Sequence, residues 1–220
     1  MGVITTLEVQ KRNKERVNVY LDGEYSFSTT LIDAARLRKG QTLTDAEIAA
    51  LRVEDAIAKA VDSAVRFLAY RPRSVAEIQR NLAEKSIDEL VITAAIDRLS
   101  TLGYLDDEAF ARFWVDNRTA FKPLGPSALR YELRQKGIAE GIIEEILDQL
   151  DATASARQAA SGQIRRLRGS DQRTFRQKLG SFLQRRGFGY DVISEVVSAW
   201  IEELEATDYF ADQETADDDM

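Results

Sequence analysis

Apolar and polar positions change their period along this 220-residue chain. From Ile4 to Val9 and from Val17 to Leu21, β-branched and apolar side chains stand at near-alternating positions, the spacing of a half-buried strand. Lys11 to Arg16 forms a polar turn between them. Asp22-Gly23 supplies the positive-φ chemistry of a tight hairpin before Tyr25-Ser26-Phe27. A short helix is expected from Leu31 to Gly40. Thr44-Asp45-Ala46-Glu47 has the form of a capping box and opens a second short helix through Leu51.

From Asp55 the period becomes helical. Ala56, Ala60, Ala64, Phe67 and Leu68 make one apolar stripe, which Arg71-Pro72 stops because the residue before proline is pushed out of the α region. Ser74-Val75-Ala76-Glu77 is a second capping box. Asp88 is the expected N-cap of a third helix, which ends at Gly103. The same cycle then recurs over 106–121, 126–136 and 139–150, and again over 152–168, 171–186 and 190–204.

The recurrence is also visible residue by residue. Leu82-Ala83-Glu84-Lys85-Ser86-Ile87, Leu133-Arg134-Gln135-Lys136-Gly137-Ile138 and Leu183-Gln184-Arg185-Arg186-Gly187-Phe188 share one pattern at intervals of 51 and 50 residues. Ile78, Leu129 and Leu179 precede them at one offset. Ile92, Ile96 and Leu99 follow the first copy, as Ile143, Leu147 and Leu150 follow the second and Ile193, Val197 and Trp200 the third. A fixed period near fifty marks a tandem array of small units sharing a core. The expected fold is therefore mainly α: three tandem three-helix repeats in an elongated, curved array, preceded by a small β-hairpin and short-helix segment. The expected boundaries are 1–54 for that segment, 55–105, 106–150 and 151–205 for the repeats, and 206–220 for a disordered acidic tail.

Composition removes most chemistries. With no histidine and no cysteine, triads using histidine, thiol nucleophiles, zinc fingers and disulfides drop out. No phosphate-binding Gly-x-x-x-x-Gly-Lys-(Ser/Thr) occurs, and Gly187-Phe188-Gly189 reads as a helix–helix turn. Asp106-Asp107-Glu108 is explained by helix capping and first-turn acids before any metal is invoked. The expectation is a protein that is not an enzyme and needs no cofactor. No stretch approaches the ~20 apolar residues of a membrane span, and Met1 to Lys11 lacks a signal-peptide core, so a cytoplasmic protein is expected; a repeat array with distinct terminal units is consistent with a monomer.

Net charge is −7, but it is polarised. Residues 155–190 carry nine bases against Asp171 alone, while residues 191–220 carry eleven acids and no base. Without that last block, all 30 bases face only 26 of the 37 acids. The distribution, rather than the sum, bears on partners: it fits either an arginine-rich solvated helix face with a soluble tail, or a surface for DNA phosphates or the carboxylates of a protein partner.

Arg71-Pro72-Arg73-Ser74-x-x-Glu77-Ile78-x-x-x-Leu82-x-x-Lys85 resembles the RecX family, regulators of the bacterial RecA recombinase. So do Leu102-Gly103-Tyr104-Leu105-Asp106-Asp107-Glu108-x-Phe110-Ala111 and Gly125-x-x-x-Leu129-x-x-Glu132-Leu133-x-x-Lys136-Gly137-Ile138. The resemblance runs over about residues 55–204, and the N-terminal hairpin is similar to longer members. It departs at Ser86, where the other two repeats carry glycine, and after Glu205, where no family pattern is matched. It implies binding in the groove of the RecA filament on single-stranded DNA, with possible direct DNA contact, and inhibition of strand exchange and ATP hydrolysis.

Candidate contact residues are Arg71, Arg73, Lys85, Arg130, Arg134, Lys136, Arg165, Arg166, Arg168, Arg173, Arg176, Lys178, Arg185 and Arg186. Arg71 and Arg73 have a competing reading, as partners of Glu77 at a helix junction. Phe67, Phe110, Phe113, Trp114, Phe175, Phe182 and Trp200 stand at helical spacings and are expected in the core. The alternative function is a helix-turn-helix-like protein acting on duplex DNA, which would need base-reading side chains on one exposed helix face. A bare helical scaffold is a third reading. The acidic tail is open to two roles: solubility, or competition for the basic block.

Overall fold

The computed structural model describes residues 1–207, 209 and 210. The chain divides into two compact units, residues 1–106 and the residues from 107 onward.

The first unit begins with a four-stranded antiparallel sheet. Strands β1 (Gly2–Val9), β2 (Arg16–Leu21), β3 (Glu24–Thr30) and β4 (Thr42–Leu43) lie in the order β3-β2-β1-β4. Asp22 and Gly23 both take positive φ, 51° and 93°, as the β2–β3 turn requires. The helix expected to reach Gly40 stops at Ala34: α1 covers Leu31–Ala34. Residues 40–43 instead return along β1, with the Gly40 amide donating to the Ile4 carbonyl at 2.8 Å and the Ile4 amide to Gln41 at 2.8 Å. A two-residue edge strand has no pattern of its own to read.

The expected boundary at residue 54 falls inside a helix. Helix α2 runs unbroken over Asp45–Leu68 from the Thr44–Glu47 capping box. Nothing between Leu51 and Asp55 can stop it, because Arg52-Val53-Glu54 contains neither glycine nor proline. Its first turns set Ile48 and Leu51 against the sheet core of Ile4, Val19, Leu21, Phe27 and Leu43. Its later turns bury Ile57, Ala60 and Ala64 against α3 (Val75–Ala83) and α4 (Glu89–Thr101). Between the two cores, buried Arg16 and Asp55 form an ion pair that joins β2 to α2.

The second unit carries six helices among its described residues: α5 (Asp107–Phe121), α6 (Pro126–Gln135), α7 (Glu140–Leu147), α8 (Ala152–Leu167), α9 (Gln172–Arg185) and α10 (Tyr190–Glu205). Each triplet closes on its own core. Leu129, Leu133 and Ile143 centre one, and Phe175, Leu179 and Leu183 the other, all at 0% exposure, with the half-buried Ile193 packed against the second. Phe113, expected in the core, is instead on the surface at 43% exposure. It stands beside the buried Phe110-Ala111 pair but on the outer side of α5.

Within this unit the two triplets meet through glycine. A Cβ on Gly125 would lie 2.2 Å from the Gly187 carbonyl oxygen, and one on Gly187 would lie 2.5 Å from the Ala128 nitrogen. The contact is hydrogen-bonded as well as close. The Gly125 amide donates to Arg186 at 2.8 Å, the Ser127 hydroxyl to Gly187 at 2.6 Å, and the Arg186 guanidinium to the Pro123 carbonyl at 2.9 Å.

The disorder expected from Ala206 does not begin there. Tyr209 is 7% exposed, its hydroxyl donates to the Ile164 carbonyl, and its own carbonyl accepts from Gly169 at 3.0 Å. Phe210 sets its ring edge-on to Phe175 at 5.4 Å. Of the tail acids, Asp208, Asp212, Glu214, Asp217, Asp218 and Asp219 lie outside the described residues.

Candidate functional site

Helices α8 and α9 divide their faces sharply. Ala156, Ala159 and Ala160 of α8, and Phe175, Leu179 and Leu183 of α9, point into the core at helical spacing. The bases then fall on the outward positions. Asp151 caps α8, accepting from the Ala154 amide at 2.8 Å. Asp171 caps α9, accepting from the Thr174 amide at 2.8 Å and its hydroxyl at 2.7 Å. Those bonds from Thr174 hold the Asp171 carboxyl below its ordinary range. The one acid inside the basic block is thereby committed to a helix end.

Three acids of α10 have partners too. Glu203 pairs with Arg157, Glu205 accepts from Gln172 at 2.6 Å, and Glu195 from Thr153 at 3.3 Å. What remains is a set of exposed bases, Arg165, Arg166, Arg168, Arg173, Lys178 and Arg185, with no ion pair among the described residues. Lys178 and Arg185 line a groove of about 450 Å³ between α8 and α9, with Gln163, Leu167, Gln177, Ser181 and Phe182. The polar members, Gln163, Gln177 and Ser181, were not candidates in the sequence. Their signal is the i, i+4, i+8 spacing of Gln177, Ser181 and Arg185 along one face.

The other candidate bases are engaged in the fold. Arg71 holds Glu77 through both guanidinium nitrogens, at 2.8 and 3.2 Å, so the reading of it as a junction partner is the one its geometry fits. Arg73 lies over the Phe67 ring with its carbon 3.8 Å from the centroid, and its Nε is buried without a partner. Burial, and then the Arg71 charge beside it, pull its pKa down. Lys85 donates to the Ser63 hydroxyl at 2.7 Å. Arg134 grips Glu140 in a two-bonded fork at 2.7 and 2.8 Å, and Arg130 joins the same carboxylate at 3.2 Å. Lys136 stands over the Trp114 ring at 4.7 Å. Arg186 is occupied at the Gly125–Gly187 junction, and desolvation there lowers its pKa. Arg176 reaches the Ser198 hydroxyl at 3.4 Å and faces a separate cleft between α9 and α10.

A surface of unpaired guanidinium groups and an ammonium beside a polar groove has the charge and donor geometry that suit an anion. Arginine forks fit phosphates and carboxylates alike. Among the described residues, no three acidic side chains gather as metal ligands would.

Comparison with known proteins assigns the chain. Four family models match in order: the Regulatory protein RecX N-terminal domain at residues 2–44, and the first, second and third RecX three-helix domains at 60–99, 106–147 and 151–197. The chain belongs to the RecX family.

Regulatory protein RecX of Clostridium botulinum (strain Alaska E43 / Type E3) is 36% identical over 204 residues, 90% of this chain and 95% of that protein. The Bacillus subtilis (strain 168) RecX is 34% identical over 200 residues, 88% of this chain and 75% of its own length. A crystal structure of regulatory protein RecX superposes with a TM-score of 0.76 at 31% identity, covering 90% of this chain and all of the other. RecX from Lactobacillus salivarius gives 0.61 at 26% identity, over 70% of this chain and 99% of its own. The basic groove described above lies within the segment matched by the third three-helix domain of the RecX family. The relatives are named as regulatory proteins, and no helix among the described residues is long and apolar enough to cross a membrane.

Proposed function

We propose that this protein regulates RecA without chemistry of its own, by binding the RecA filament on single-stranded DNA and slowing ATP hydrolysis and strand exchange. Membership in a family of regulatory proteins supports the class of activity. The observation that supports the mode is the outward face of α8 and α9. Arg165, Arg166, Arg168, Arg173, Lys178 and Arg185 are left without acidic partners there, while Glu203 pairs with Arg157, Glu205 accepts from Gln172 and Asp171 caps α9. Such a face is suited to DNA phosphates or to carboxylates of the recombinase.

A steady-state ATPase assay on single-stranded DNA tests the proposal. Adding the protein in several-fold excess is expected to lower RecA turnover, with no hydrolysis by the protein alone. Unchanged turnover contradicts it. Equal binding to naked duplex DNA and to filament would favour the duplex-binding alternative instead.

A further inference from the structure

The basic face of α8 and α9 and the acidic residues that follow Phe210 belong to one chain, and the structure shows where the second starts relative to the first. Residues 211–220 contain five acids, Asp212, Glu214, Asp217, Asp218 and Asp219, and no base. They leave a fixed point. Tyr209 is bonded to the Ile164 carbonyl of α8 and to the Gly169 amide of the α8–α9 turn, and Phe210 rests on Phe175 at the start of α9. Arg168 and Arg173 flank that same turn in sequence, both exposed. Arg168 is near enough to favour the ionised form of the Tyr209 phenol.

We propose that residues 211–220 occupy the basic face of α8 and α9 as an internal competitor for its anionic partner, and that the Tyr209–Phe210 hook sets them there. Reach permits this. Nine residues, from Phe210 to Asp219, extend to about 30 Å at most. The 14 residues of α9 rise about 21 Å. Charge is complementary, five acids against six unpaired bases. A short tether gives the segment an effective concentration on the order of millimolar, so a weak contact is enough to compete. The contact is electrostatic, so salt weakens it.

The hook has a consequence for how the competitor is removed. Cutting after Glu205 deletes Tyr209 and Phe210 from the core of the third repeat, whereas changes beyond Phe210 leave the described fold whole. The inference rests on the proposed function only in that the same face would meet the filament, so its test uses no recombinase.

The chain has no cysteine, so Thr215→Cys accepts a single nitroxide. Amide resonances of residues 165–185 are expected to broaden at about 50 mM salt and to recover at about 500 mM. A full-length variant carrying Asp212→Asn, Glu214→Gln, Asp217→Asn, Asp218→Asn and Asp219→Asn should lose that broadening. It should also bind a 20-nucleotide oligothymidine at least threefold tighter at low salt, with the difference closing at high salt. Absence of salt-sensitive broadening on α8 and α9, or equal oligothymidine affinity at low salt, overturns the proposal. Failure of the RecA reading would leave both readouts unaffected.

Discussion

Ser86 adopts φ +56° at the position where the other two repeats place Gly137 and Gly187 at +79° and +85°. A side chain in this region costs about 1–2 kcal/mol, part of which it returns by restricting the unfolded chain. Ser86→Gly is therefore expected to stabilise the protein by about 0.5–1 kcal/mol in urea unfolding. Gly187→Ala goes the other way and further, since backbone strain is joined by a contact at 2.5 Å with the Ala128 nitrogen. A loss of about 2 kcal/mol or more is expected in the same measurement. Tyr209 offers a pH test of the hook. Burial raises its phenol pKa, against a smaller opposing pull from Arg168. Its contribution is thus complete below the ordinary phenol value of about 10 and is lost as pH rises through the higher folded value. Thermal stability of the intact protein should show an alkaline step that Tyr209→Phe lacks. At this scale the sequence was partly legible. It listed Arg71, Arg73 and Arg165 alike as basic, because a side chain's partner is set by what folds beside it. Only the folded positions of Glu77 and Phe67 show what Arg71 and Arg73 touch.

Caps and periodicity placed the helices well because both are local. Thr44–Glu47 and Ser74–Glu77 form the two capping boxes the sequence implies, and Asp88 caps α4. What escaped was non-local. β4 exists because β1 offers it an edge. The continuity of α2 follows from two cores that meet along one helix. The hold on Tyr209 depends on a carbonyl of Ile164, 45 residues away. The repeated Leu-x-x-(Lys/Arg) string did identify core positions directly: Leu82, Leu133 and Leu183 are all at 0% exposure. Leu133→Ala should accordingly cost about 2–5 kcal/mol. A thermal melt unchanged by that substitution would contradict its central place among Leu129, Ile138 and Ile143.

For the whole molecule, the formal charge of −7 conceals a cationic face on one repeat and an acidic segment that begins beside it. Family membership gives the class of function, and the unpaired bases of α8 and α9 give the surface through which the protein is proposed to act. The most direct test compares two variants with the same change in net charge. Arg165→Glu, Arg166→Glu and Lys178→Glu reverse the face, whereas Lys11→Glu, Arg12→Glu and Lys14→Glu reverse an exposed turn between β1 and β2. Affinity for RecA filaments on single-stranded DNA is measured for both at two salt concentrations. The account expects the first variant to bind about tenfold more weakly or worse, with a flatter salt dependence, and the second to stay within about twofold of the parent. Equal losses in the two variants, or no loss in the first, would contradict it.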